Sequence, residues 1–421
     1  MYQKTTLANG LRILTGHMPS THSVCVAIFV GIGSRYETEA EAGTAHFIEH
    51  LCFRGTEKRP TPKDISEAIE GVGGILNGAT DKELTFFWCK VAREHFRGAA
   101  EVLVDMLLHS SFKSEDIEKE RQVIIDEINM CKDSPSQAVS LLIDELLWPR
   151  HPLGRDIAGT RESVAGIDRQ ALLNYLGSRY TPGNTVITVT GSARHEDVLE
   201  DVQRLLGGWA NPASPSGYLA YQPLDGERLK IEKRDTEQAH LCLALPGISL
   251  SHPQRFPLDL LNVVLGEGMS SRLFGEIRDK LGLAYSISSY VEHYLDSGSL
   301  AVSASVEPAN LKRAVRAILD QLELLKEPIP EGEMRKAREI SKGRLVLRME
   351  DSRNVAGWLG GQETLTNRVL TLDEVISIID SISAEQLQEI ARGLIDVKKA
   401  RLAVVGPISD TQPLQQMLQI E

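Results

Sequence analysis

The second half of this chain repeats the first. Ile167-Asp168-Arg169-Gln170 through Val189-Thr190-Gly191 aligns without a gap on Ile382-Ser383-Ala384-Glu385 through Val404-Val405-Gly406, an offset of 215 residues. Upstream, the acidic segment around Ile117 has a counterpart around Met334, an offset of 217. Periods of ~20–50 residues mark solenoids; one this long marks duplicated domains. The length agrees, because 421 residues exceed what one ordinary core supports. Between the halves, Asn211-Pro212-Ala213-Ser214-Pro215-Ser216-Gly217 is polar and turn-forming and reads as the interdomain linker.

The two copies are not chemically equal. The first contains Ala45-His46-Phe47-Ile48-Glu49-His50, an H-x-x-E-H pattern that inverts the commoner H-E-x-x-H order. On a helix, positions four apart lie about 40° apart in rotation and one turn in rise, so His46 and His50 project from one face as a chelating pair. Glu49, about 60° from His46 on the same side, can take a proton from a water that the metal activates. A catalytic zinc wants three protein ligands, and histidine pairs also arise by chance, so a third ligand decides the reading. In the second copy the corresponding region reads Leu258-Asp259-Leu260-Leu261-Asn262, without the motif.

The order of elements supplies the missing candidates. Ser23 to Val30 is continuously apolar and β-branched, as in a strand buried on both faces, and leads through an acidic loop into the His46 helix. Thr61-Pro62-Lys63-Asp64 caps a second helix. The glycine-dense Gly71 to Thr80 run, before a strand at Leu84 to Val91, marks backbone that approaches something closely: a tight turn or an edge that pairs with an extended peptide. Phe96, Ala99, Leu103 and Met106 form a helical core stripe. Ser114-Glu115-Asp116 starts a helix carrying Glu120 and Glu127, seven residues apart and nearly on one face. These two are the candidate third ligand and its support. Two turns of rise, about 11 Å, prevent both from entering a zinc shell of roughly 2 Å.

Composition narrows the alternatives. A formal charge of −12 disfavours nucleic acid as a partner; it suits basic peptides if the acids line a cavity, and otherwise reads as a device for solubility. No apolar run approaches the roughly 18 residues of a membrane span, and Met1 to Leu7 lacks the layout of a secretory signal, so the expectation is a cytoplasmic protein, or a mature form already trimmed. Five cysteines without C-x-x-C argue against a disulfide framework or a thiolate zinc site, and read as small buried apolar residues.

These motifs resemble those of the inverted-motif zinc peptidases, the family of pitrilysin, insulin-degrading enzyme and the mitochondrial processing peptidase. The match runs over nearly the whole chain and is nearest to the catalytic processing subunit and bacterial single-type members. It implies that Glu127, which follows His50 after 76 intervening residues, is the third ligand beside His46 and His50, and that Glu120 is its supporting glutamate. Gly73 to Thr80 looks like the family's substrate-pairing edge strand, with Asn77, Gly78, Ala79 and Thr80 as binding residues and Gly78 where alanine is usual. Arg278 and Tyr285 match an Arg/Tyr pair that reaches the substrate from the metal-free domain.

The resemblance implies an α+β fold of two similar domains, residues 1–212 and 222–421, each an antiparallel sheet covered by helices and together half of a clamshell. It implies one Zn²⁺ per chain and a homodimer in which Arg278 and Tyr285 of one chain complete the site of the other. The expected activity is metalloendopeptidase, with Glu49 as general base, acting on peptides or presequence-like segments in an enclosed chamber. A catalytically silent peptide-binding or core-type structural subunit is the alternative, as is a catalytic subunit that needs a different partner. A mitochondrial matrix location goes with the processing-peptidase likeness.

Overall fold

A computed structural model describes residues 2–211 and 217–420. Most of the segment read as the linker, residues 212–216, lies outside the described residues. Two compact units emerge, and each draws on both halves of the sequence. The first takes the described residues of 1–128, 156–219 and 346–371; the second takes 129–155, 220–345 and the described residues of 372–421. These units cut across the sequence halves 1–212 and 222–421.

The first unit is built on six strands: β1 (Tyr2–Thr6), β2 (Arg12–His17), β3 (Ser23–Val30), β4 (Ile75–Thr80), β5 (Thr85–Ala92) and β6 (Thr185–Gly191). Their order is β1-β2-β6-β3-β5-β4. The second unit carries β7 (Leu229–Lys233), β8 (Ala239–Pro246), β9 (Ala284–His293), β10 (Gly298–Val306) and β11 (Arg401–Gly406), ordered β7-β11-β8-β10-β9. The α+β class that the resemblance implies is the one observed. The sheets are mixed rather than purely antiparallel, because β2 pairs parallel with β6 and β7 with β11. In each unit the later strand of that pair returns through a long helical connection, which is what a parallel neighbour requires.

The ungapped repeat now has a structural meaning. It covers helix Arg169–Arg179 with β6 in one unit and helix Ala384–Leu394 with β11 in the other. Both helices start on a side-chain cap: Asp168 accepts from the Ala171 amide and Ser383 from the Gln386 amide. Both strands sit inside their sheets, which is why each reads as an unbroken apolar and β-branched run.

Strand β3 shows why continuous apolarity was needed. Val24, Val26, Ile28 and Val30 join the main core with helix Phe96–His109 and the motif helix Thr44–Cys52. The alternate residues Cys25, Ala27 and Phe29 face a second cluster with Ala356 and Leu359, from helix Ser352–Thr366. That helix comes from the second half of the sequence. A Cβ at Gly360 would lie 2.2 Å from the Phe29 ring, so the close approach of helix to sheet depends on glycine there. Lys4 (2.6 Å) and Arg12 (3.3 Å) neutralise the buried Glu363 carboxylate at its far end.

The reciprocal contribution is helix Pro135–Leu147, from the first half. Its Val139, Ile143, Leu146 and Leu147 pack with Cys242, Ala244, Ala403 and Val405 on one face of the second sheet. Trp148 caps this cluster and donates its indole N–H to Ser297 Oγ at 2.8 Å. In the irregular segment at Trp148 to Gly154, Trp148, His151, Pro152 and Leu153 are buried while Arg150 is exposed, and His151 accepts from the Leu153 amide.

All five cysteines are free, and Cys25, Cys52, Cys89 and Cys242 are buried. Burial pushes the Cys25 and Cys52 thiols up to about 12. Among the described residues, no helix is long and apolar enough to cross a membrane.

Candidate active site

The motif helix begins under a buried carboxylate. Glu37 accepts the Gly43 amide at 2.8 Å and the Ala45 amide at 2.7 Å, so two of the helix's free N–H groups end on a negative charge. Ala45, Phe47, Ile48, Leu51 and Cys52 face the core. His46, Glu49 and His50 are left half-buried on the other side, as the i, i+3, i+4 spacing requires. The two imidazoles stand with ring centroids 4.6 Å apart.

Helix Ser114–Asp133 supplies the carboxylates. Glu127 Oε2 is 3.8 Å from His46 Nε2 and 3.6 Å from His50 Nε2. A donor atom from each of His46, His50 and Glu127 lies within 4.8 Å of the others. Bonds of about 2.0–2.2 Å in a tetrahedral shell separate the donors by roughly 3.3–3.6 Å, so small adjustments would close the set around zinc. Two imidazoles and one carboxylate are a zinc-type donor set, and three protein ligands leave one position free. The residues fit a catalytic zinc.

Glu120 acts from behind. Its Oε2 lies 2.8 Å from His50 Nδ1, which leaves Nε2 directed at Glu127. The two histidines differ in this respect, because His46 Nδ1 is buried without a hydrogen-bond partner. Burial, then the neighbouring His50, pushes His46 down to about 4, so it is neutral and able to ligate at pH 7. Burial alone would also lower His50. The Glu120 hydrogen bond and the charges of Glu127, Glu49 and Glu120 outweigh burial and leave it raised.

Glu49 is raised by burial, against a hydrogen bond from Thr80 Oγ1 to its Oε2 at 3.0 Å. A carboxylate moved up from its ordinary range is better matched to exchanging protons near neutrality. Thr80 belongs to β4, which is the outer strand of its sheet. Of the four residues expected to bind substrate, Thr80 thus turns its hydroxyl onto Glu49. Asn77 Oδ1 accepts the Gly78 amide at 2.8 Å. A Cβ at Gly78 would come within 3.0 Å of the Phe53 ring and 3.2 Å of Glu49 Oε1, so glycine gives these two groups their room.

Arg278 and Tyr285 belong to the second unit. Arg278 stacks its guanidinium over the Phe274 ring at 4.7 Å, and Tyr285, near the start of β9, is 73% exposed. Strand β9 is an outer strand, as β4 is in the first unit.

Three site-supporting residues escape a motif-based reading: Glu37, Arg54 and Asp116. Arg54 Nη1 is 3.2 Å from Glu120 Oε1, and its Nη2 is 3.7 Å from Asp116 Oδ1. Asp116 stands one helical turn before Glu120, and this i, i+4 pairing is the one signal of it that the sequence contains. Nothing local to Arg54 or Glu37 shows which carboxylate or helix end each meets.

Known proteins resemble this chain over most of its length. Residues 12–161 match the family model described as Insulinase (Peptidase family M16), and residues 166–341 match the Peptidase M16 inactive domain. The uncharacterized zinc protease YmxG of Bacillus subtilis is 35% identical over 97% of this chain and 98% of its own length. An uncharacterized zinc protease of Mycobacterium leprae is 36% identical over 99% of this chain and 94% of its own. The crystal structure of a protease from Helicobacter pylori superposes with a TM-score of 0.92 at 22% identity, covering 96% of this chain and 99% of that one. The fold is thus shared across the full length, and the sequence relatives extend as far: the chain belongs to peptidase family M16.

Proposed function

We propose that this protein is a zinc-dependent metalloendopeptidase whose working groups are His46, His50, Glu127, Glu49 and Glu120. The observation that carries the reading is the convergence of His46 Nε2 and His50 Nε2 on one oxygen of Glu127, with Glu120 holding the far side of His50. His46, His50 and Glu127 would hold the metal, which when bound supplies Lewis-acid polarisation and lowers the pKa of water.

The chain's own residues account for the remaining chemistry. Glu49 takes a proton from the attacking water and returns it to the departing amine, a role suited to a half-buried carboxylate with a raised pKa. Thr80 keeps that carboxylate oriented. The outer edge of β4 at Asn77, Gly78 and Ala79 holds an extended peptide by backbone pairing, in the manner of strand addition. Arg278 and Tyr285 grip the substrate or its developing oxyanion, and we infer that they do so across a homodimer. The excess of acidic residues favours basic peptides or presequence-like segments.

The test is zinc content measured beside cleavage of a fluorogenic basic peptide, for wild type and Glu49→Gln. Glu49→Gln should retain zinc and lose about 10²–10⁴-fold in kcat. A wild type that binds zinc and stays inert, alone and with added partner chains, would instead identify a silent subunit.

A further inference from the structure

Arg54 lies just beyond the motif helix, four residues after His50, where its amide donates to the Leu51 carbonyl at 3.0 Å. Its side chain is mostly covered, with 28% exposed. One arm, Nη1, is 3.2 Å from Glu120 Oε1; the other, Nη2, is 3.7 Å from Asp116 Oδ1. The second oxygen of Glu120 is the one 2.8 Å from His50 Nδ1. Guanidinium, carboxylate and imidazole therefore stand in series, ending at His50 Nε2, which faces Glu127 at 3.6 Å. The Arg54 Nε is itself buried without a partner, so this placement carries the penalty of an unsatisfied donor.

We propose that Arg54 is a positioning residue for the metal centre: acting through Glu120, it fixes the orientation of His50 and thereby sets zinc affinity. The terminal torsion of a glutamate is broad and roughly two-fold, so a carboxylate held at one oxygen alone still rotates. Arg54 Nη1, 3.2 Å from the other oxygen of Glu120, opposes that rotation electrostatically, and the Asp116 carboxylate, 3.7 Å from Nη2, is a second ion-pair neighbour of the guanidinium. Two separated carboxylates are met by two arms of a planar fork, which an ammonium on a flexible stem does not provide. Groups that orient a ligating histidine typically control metal affinity by about 10–100-fold. This role presupposes that His46, His50 and Glu127 bind zinc.

The experiment is a double-variant cycle on the full chain. Zinc dissociation constants are measured by competition with a chromophoric chelator for wild type, R54M, R54K, E120Q and R54M/E120Q, with the melting temperature of each metal-free form alongside. R54M should weaken zinc binding by about 10-fold, and R54K should not restore it fully. R54M/E120Q should bind no more weakly than E120Q, because Arg54 acts only through Glu120. A purely structural arginine would lower the melting temperature in both backgrounds and would not produce that masking. Unchanged affinity in R54M, or losses that multiply in the double variant, overturns the proposal. If R54M does not fold, R54K carries the same cycle with E120Q. A wild type that takes up no zinc sinks the metal reading and this role with it; a zinc-binding wild type with an unmoved R54M sinks this role alone.

Discussion

Thr80 Oγ1 donates a hydrogen bond to Glu49 Oε2 at 3.0 Å, tying the outer strand of the first sheet to the carboxylate proposed to move the proton. The bond favours the ionised form, so removing it should move the Glu49 pKa further up. Thr80→Val is therefore expected to shift the acidic limb of the kcat/KM profile to higher pH and to reduce activity at pH 6 more than at pH 8. A limb that stays in place would show that Thr80 only shapes the strand.

Loss of metal should be visible without any substrate. A ligand that binds the folded state alone raises the melting temperature by mass action. Zinc-loaded wild type is expected to melt above the chelator-treated form, and added zinc should restore the difference. Glu127→Ala should show little or no zinc-dependent shift, whereas Glu49→Gln should keep it. Calorimetric scans with and without zinc decide the point.

The close contact between Gly360 and Phe29 predicts a contrast between adjacent glycines. A methyl group at position 360 would meet a buried ring at 2.2 Å, whereas nothing lies within 4 Å of one at 361. Gly360→Ala should destabilise the protein by about 1–3 kcal/mol through overpacking. Gly361→Ala should be neutral or stabilising by up to about 1 kcal/mol, as expected in a helix. Chemical denaturation of the two variants provides the comparison.

His293 supplies a pH-dependent contribution in the second unit. Burial would lower its pKa, but the hydrogen bond to Asp259 at 3.1 Å, that residue's charge and the Ile248 carbonyl leave it raised. A raised histidine adds stability that is fully present below its unfolded pKa of about 6.5 and is lost as pH rises through the folded value. The advantage of wild type over Asp259→Asn should therefore be larger at pH 6 than at pH 9. Equal advantages at both would show that the pair contributes nothing through protonation.

The proposed cross-chain completion of the site predicts complementation. Mixing His50→Ala chains with Arg278→Ala chains should recover activity above that of either alone, because one of the two mixed sites would combine an intact metal centre with an intact arginine. No recovery despite confirmed subunit exchange would assign Arg278 to its own chain or to no catalytic role.

Residues close in sequence or repeated at a helical period were readable before the structure. The histidine pair and Glu49 follow from one helix, and the seven-residue spacing of Glu120 and Glu127 already required that only one enter the metal shell. The unbroken apolar run of β3 required cover on both faces. What it could not show was the source of that cover, since the apolar stripe of helix Ser352–Thr366 fits either sheet equally well on periodicity alone. Arg54 was invisible for a related reason: an arginine after a helix has many possible acceptors, and only tertiary approach selects Glu120 and Asp116. The parallel pairs depend on the path of long connections, which local pattern does not encode.

The exchange of helices Pro135–Leu147 and Ser352–Thr366 has a consequence for how the duplication can be taken apart. A polypeptide ending at the linker would carry the proposed metal ligands and yet leave Cys25, Ala27 and Phe29 bare on one side of its sheet. The remaining polypeptide would expose Cys242, Ala244, Ala403 and Val405 in the same way. Neither fragment is a self-sufficient ancestor in miniature. Made separately each should aggregate; made together they should recognise one another as complementary pieces, each holding the missing layer of the other.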